Sequence, residues 1–370
     1  MAETERGTGL TRGGALDALR FAAAAFITLY HFGQEEGPRP LGDFIPAFER
    51  GYLATDFFLL LSGYVLARTY GPRILAGRTG AGAFLLGRFT RLWPAHVVVL
   101  LSYLAVVVAA GLVGLGLNHA EAFSLQRFVP QLFLVHAWGL GATMGWNSAT
   151  WTLSALLVCY AVFPSLWRGL ARLTPGAALA AGVAALLAAD LAARGFGADI
   201  YKLDPAIGVA RGLPLFVLGA AVARFGQSFT LSGAQGLAVG LGGALALVAS
   251  QSVPGLTFIS ILAIAAVILA AGSHKPRQGS SFVASAAALS FALFLTHNLV
   301  GLVWFRLPGL LPWSLGEPLQ WAWWAAGLTT TLIAAAVFHH WIDTPLQSWL
   351  KPRLSRGIPA GAITPAAAPI

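Results

Sequence analysis

Arg20 and His31 stand eleven residues apart in an otherwise apolar stretch, Leu16-Asp-Ala-Leu-Arg-Phe-Ala-Ala-Ala-Ala-Phe-Ile-Thr-Leu-Tyr-His-Phe32. At about 3.6 residues per turn this spacing predicts a helix with both side chains on one face, roughly 16 Å apart along the axis. An arginine at the centre of a membrane helix costs roughly 2.5–3.5 kcal/mol. Such a charge faces a cavity or a partner and marks function. His31 is the best base in the chain, because imidazole titrates near neutrality and can take a proton from an attacking hydroxyl. The alternative is a histidine bonded to a helix neighbour. Asp17, three residues before Arg20, can pair with it across one turn and soften the cost of burial.

Other polar residues extend this set. Arg88 and Arg91 lie three apart at the mouth of the third apolar segment, on one side, and can clamp phosphate through bidentate hydrogen bonds. The competing reading is ordinary loop charge, which applies to Arg73 and Arg78. Asp56, in the outer part of the second segment, would hold His31 in one tautomer, pair with an arginine, or simply be hydrated. Arg211 falls inside an apolar segment and needs a partner or water, with Asp190 and Asp204 as candidates by depth. His297 is either a polar helix contact or a catalytic group. Cys159 reads as packing. The eight histidines lack ligand spacing with carboxylates or cysteine, so no metal is expected.

The elements that must position these groups are membrane helices. The chain has 370 residues, 57% hydrophobic and 10% charged, with a mean hydropathy of +0.73. Soluble domains run at about 25% charged, so this chain could not cover a water-facing surface. Ten apolar segments approximate 14–33, 52–71, 92–116, 150–168, 176–193, 206–224, 233–250, 256–272, 284–306 and 320–345. Each has about the length needed to cross ~30 Å of hydrocarbon. They are continuous rather than alternating, which argues against a β-barrel. A shorter run, Phe128 to Leu140, reads as interfacial or re-entrant.

With the N-terminus inside, fifteen Lys and Arg residues fall on the inner side and six on the outer, and Arg20 and Arg211 lie within helices. This positive-inside bias predicts cytoplasmic N- and C-termini. It accounts for the net charge of +9 without a nucleic acid partner. The expected fold is therefore an all-α, polytopic membrane protein of about ten transmembrane helices. Residues 1–13 form a cytoplasmic segment, 14–350 the membrane domain, and 351–370 a disordered cytoplasmic tail.

The stretch from Leu16 to His31 resembles the first helix of the membrane acyltransferase-3 family, L-D-G-L-R, ten residues, then H. Gly51-Tyr-Leu-Ala-Thr-Asp56-Phe-Phe-Leu-Leu-Leu-Ser62-Gly63-Tyr64 is similar to its G-x-x-G-V-D-x-F-F-x-x-S-G-F segment, and Arg88-Phe-Thr-Arg91-Leu-Trp-Pro94 to its R-x-x-R-I-x-P. Trp151-Thr-Leu-Ser154 through Tyr160 resembles W-S-L-S-x-E-x-x-x-Y, Leu289 to His297 resembles S-Y-x-L-Y-L-x-H, and Trp341-Ile-Asp343-Thr-Pro345 resembles the closing I-E-x-P. These ordered matches run through most of the chain.

The resemblance implies an O-acyltransferase of the type without a fused extracellular domain, multi-pass in a bacterial plasma membrane. It would move an acyl group, often acetyl, from acetyl-CoA or another acyl-CoA onto a hydroxyl of a carbohydrate or similar acceptor at the outer face. His31, Arg20 and Asp56 would be its catalytic residues, Arg88 and Arg91 would hold the phosphates of coenzyme A, and no metal would take part. A polar path open to both sides would link them, and polybasic inner loops would suit anionic lipid headgroups. One departure stands out: the family's glutamate after W-S-L-S-x is Leu156 here. Intramembrane Arg, Asp and His would equally suit a transporter or flippase of a glycan or lipid-linked substrate.

Overall fold

The computed structural model describes residues 10–116, 120–141, 144–228, 231–251, 256–273, 279–310 and 312–355. The tail expected to be disordered over 351–370 is instead helical as far as Ser355, because the last helix continues past the membrane domain; its remainder, most of the N-terminal segment, and Lys275 and Arg277 lie outside the described residues. Within them every regular element is helical. Ten helices match the ten apolar segments: α1 (Ala15–Glu35), α2 (Leu53–Thr69), α4 (Ala81–Leu112), α6 (Trp151–Arg172), α7 (Pro175–Gly195), α8 (Gly208–Gly226), α9 (Gly233–Gln251), α10 (Thr257–Gly272), α11 (Ser281–Trp304) and α12 (Glu317–Phe338). Three short helices accompany them, α3 (Gly71–Leu75), α5 (Leu125–Leu132) and α13 (Thr344–Ser355). Eight helical spans are long and apolar enough to cross a membrane. The protein is read as a multi-pass membrane protein.

Successive long helices run in opposite directions. One rim of the bundle carries the starts of α1, α4 and α11 and the end of α12, and is called the N-terminal rim below. There Ser280 N donates to Gly13 O, and Gln347 Nε2 donates to the carbonyls of Thr90 and Arg91. At the opposite rim Arg50 donates to Ser250 O, and Arg39 pairs with Glu317.

α2 lies at the centre. Every residue from Leu53 to Thr69 except Arg68 is buried, as expected of a helix that is apolar all round. It packs on α8 through two glycines. A Cβ at Gly219 would run into the Leu60 carbonyl, and one at Gly63 into the Phe216 carbonyl. Lipid tails give helices no hydrophobic reason to associate, so close backbone approach at small residues supplies the packing energy.

α1 buries Leu16, Ala24, Ile27 and Thr28. Arg20 and His31 continue this same stripe, so both face the bundle interior, as the eleven-residue spacing predicts.

α4 starts eleven residues before the expected segment, at Ala81 instead of residue 92. Its 32 residues span about 48 Å. The apolar part from Leu92 onward already covers roughly 30 Å. Residues 81–91 are thus a helical extension at the N-terminal rim that follows the extended Gly80. Of the run Phe128 to Leu140, only the part up to Leu132 is helical. Leu134 and Trp146 adopt left-handed φ values of 55° and 43°, unusual for side chains of this size.

Replacing Gly219 with Ala is expected to force α2 and α8 apart and lower the thermal unfolding midpoint in detergent, by an overpacking cost of about 1–3 kcal/mol. Gly242→Ala, at a position with nothing within 4 Å of an added Cβ, is expected to leave that midpoint unchanged or raise it.

Candidate active site

The first turns of α1 set up the Arg20 charge. Asp17 Oδ1 accepts from Arg20 Nη1 at 2.9 Å, and Asp17 Oδ2 accepts from the Gly13 amide at 2.6 Å. The pairing across one turn is the one read from the sequence. Arg20 Nε is buried with no hydrogen-bond partner.

Near the other end of α1, His31 meets α11. Its ring lies 5.2 Å from the ring of His297, tilted by 32°, with Tyr30 edge-on at 5.3 Å. His297 is fully buried. Its Nδ1 lies 2.8 Å from the Phe294 carbonyl and 3.2 Å from that of Leu293. A carbonyl only accepts, so Nδ1 carries the hydrogen and Nε2 keeps its lone pair. That Nε2 is buried without a hydrogen-bond partner.

The segment before α6 braces this end of α11. Asn147 Nδ2 donates to Leu295 O at 2.9 Å. The Asn147 amide donates to Gln131 Oε1, while Gln131 Nε2 bonds the Gly145 carbonyl. His136 sits behind them near Thr150 Oγ1. Burial first, and His96 second, push its imidazole down to about 3, so it is neutral.

Asp56 does not serve His31. Both of its oxygens accept from Arg211, at 2.8 Å from Nε and 2.9 Å from Nη2. The Arg211 guanidinium also lies 5.4 Å from the rings of both Tyr52 and Trp151. The expected partners of Arg211 are employed elsewhere: Asp190 pairs with Arg194 at 2.9 Å, and Asp204 caps the turn at Ala206. Depth alone cannot separate three carboxylates on different elements. Of the two partnered roles open to Asp56, the ion pair is the one found.

Arg88 and Arg91 lie on the α4 extension. Arg91 Nη1 donates to Asp343 Oδ1 at 2.8 Å, and its guanidinium lies 4.6 Å over the Phe291 ring. Arg88 Nη2 donates to Tyr70 Oη at 2.7 Å, and Arg88 Nε is buried without a partner. Arg73, read from sequence as ordinary loop charge, comes 6.0 Å from the same Tyr70 ring with a buried Nη1 that has no partner. Tyr70 and Arg73 carry no motif in the chain, and only the folded α2–α3 corner brings them to α4. Unmet guanidinium donors held together are the chemistry of an anion site.

Between this basic cluster and the histidines lies a narrow cavity lined by Phe58, Leu153, Leu156, Ser290, Phe291 and Phe294. The expectation of a polar path is not met here, because Leu153, Leu156 and three phenylalanines line the wall. Among the described residues no three His, Cys, Asp or Glu side chains gather as metal ligands.

A family model described as an acyltransferase domain matches residues 14–340. The curated "Protein 2 in picA locus" of Rhizobium radiobacter is 38% identical over 100 residues, covering 27% of this chain and 48% of that protein. The chain thus spans about half the length of the curated relative it matches. No solved structure matches.

Asp56→Ala is expected to destabilise the fold by about 3–5 kcal/mol, because it strands a buried guanidinium. Yield and unfolding midpoint of the purified protein check this. A double replacement, Asp56→Leu with Arg211→Met, is expected to recover much of the loss.

Proposed function

We propose that this chain, which belongs to the acyltransferase domain family, moves an acyl group from cytoplasmic acyl-CoA to a hydroxyl of a sugar or similar acceptor at the outer face of a bacterial plasma membrane. The N-terminal rim faces the cytoplasm in this reading, and the positive-inside bias supports it. The donor is acetyl-CoA. Its phosphates bind the Arg88, Arg91 and Arg73 cluster, and its thioester reaches toward His31. Arg20, on the same α1 face but roughly 16 Å nearer the cytoplasm, adds positive charge along the donor's route rather than at the carbonyl.

His31 takes the proton of the acceptor hydroxyl as its oxygen attacks the thioester carbonyl. The new C–O bond forms, the C–S bond breaks, and the proton passes from His31 to the departing thiolate. With Leu156 where the family has a glutamate and Asp56 committed to Arg211, the base is an imidazole. What supports the reading is depth: an anion site at one rim and an inward-facing histidine toward the other, in a chain of this family.

The test uses purified protein in vesicles with radiolabelled acetyl-CoA. His31→Ala is expected to abolish transfer of label to acceptor while the protein stays inserted and abundant. A fully active His31→Ala variant would end the proposal. Arg88→Ala is expected to raise KM for acetyl-CoA about tenfold or more, the scale of a lost charged hydrogen bond, with little change in kcat.

A further inference from the structure

We infer that His297 is the positioning residue for His31, accepting the N–H of its ring and so fixing which His31 nitrogen faces the acceptor hydroxyl. The inference rests on the reading of His31 as the base. In hydrolases and transferases generally, a histidine base is oriented by a third group that accepts its other N–H. The obvious carboxylate, Asp56, is bound through both oxygens to Arg211. Asp17 is taken up by Arg20 and the Gly13 amide, and Asp343 by Arg91. His297 lies beside His31, with ring centroids 5.2 Å apart.

Three observations support the assignment. The first is distance. Ring nitrogens lie roughly 1.1 Å from their centroids, so rings 5.2 Å apart can bring two nitrogens to about 3 Å when they face each other, an ordinary hydrogen-bond length. The second is tautomer. The carbonyls of Leu293 and Phe294 hold the hydrogen on Nδ1, so Nε2 is an acceptor whatever His31 does. The third is the vacancy in its bonding. A fully buried acceptor with no partner is costly to keep, yet Nε2 of His297 is one, and the imidazole next to it can supply the missing donor. Asn147 holds the Leu295 carbonyl two residues away, which keeps this turn of α11 in place.

Two amides separate the functions of the two nitrogens. His297→Asn keeps a donor near Nδ1 but has no acceptor near Nε2. His297→Gln puts its Oε1 near Nε2. In the acetyl-CoA assay the Asn variant is expected to lose about 10²-fold in kcat with KM for acetyl-CoA within twofold of wild type. The Gln variant is expected to stay within about threefold of wild-type kcat. If the Asn variant does not accumulate, His297→Phe takes its place in the same comparison. Wild-type kcat in the Asn or Phe variant would overturn the inference, as would equal losses in the Asn and Gln variants. Either result, alongside an inactive His31→Ala, removes the role of His297 alone. A wild type that transfers no label from acetyl-CoA removes the acyl-transfer reading itself.

Discussion

The bidentate contact between Asp56 and Arg211 is the constraint from which much of the arrangement follows. Neither charge could stay in hydrocarbon alone, and the two sit 155 residues apart in the chain. Their meeting draws α2 against α8 near the rim where both helices begin. Gly63 and Gly219 then allow the backbones to close along the rest of the crossing. The ion pair sets the register, and the absent side chains set the distance.

The same demand for partners disposes of other carboxylates. Asp17, Asp190 and Asp343 are each engaged by an arginine. The consequence falls on the histidines. The rings of His31 and His297 lie 5.2 Å apart, so on the proposed reading proton handling at this depth would fall to imidazoles. Leu156 belongs to the same pattern, leaving an apolar wall beside Phe291 and Phe294.

Much of this was legible in the chain. Ten apolar runs became ten helices, eight of them long and apolar enough to cross a membrane, because length and continuity are local properties. The inward face shared by Arg20 and His31 followed from an eleven-residue spacing, and the Asp17 contact from a three-residue one. What escaped was long-range. Nothing local says that Arg211 meets Asp56 rather than Asp190 or Asp204, that Arg91 meets Asp343 across 252 residues, or that His297 ends beside His31. The early start of α4 escaped for another reason: an apolar run marks where lipid begins, and a helix can start well before it. Tyr70 and Arg73 joined the basic cluster through a chain corner that leaves no mark in composition.

The length of α4 has one more consequence. A helix that outreaches the hydrocarbon by eleven residues carries its guanidinium groups to the level of the lipid headgroups, where monoanionic phosphates are abundant. Arg91 is already paired there with the carboxylate of Asp343, while Arg88 donates from Nη2 to a phenol and keeps a buried Nε without a partner. A visitor with a single negative charge offers little that these resident groups do not. On the proposed reading a polyanion would reach several guanidinium groups at once, and the protein's own acid would then favour ligands of higher valence.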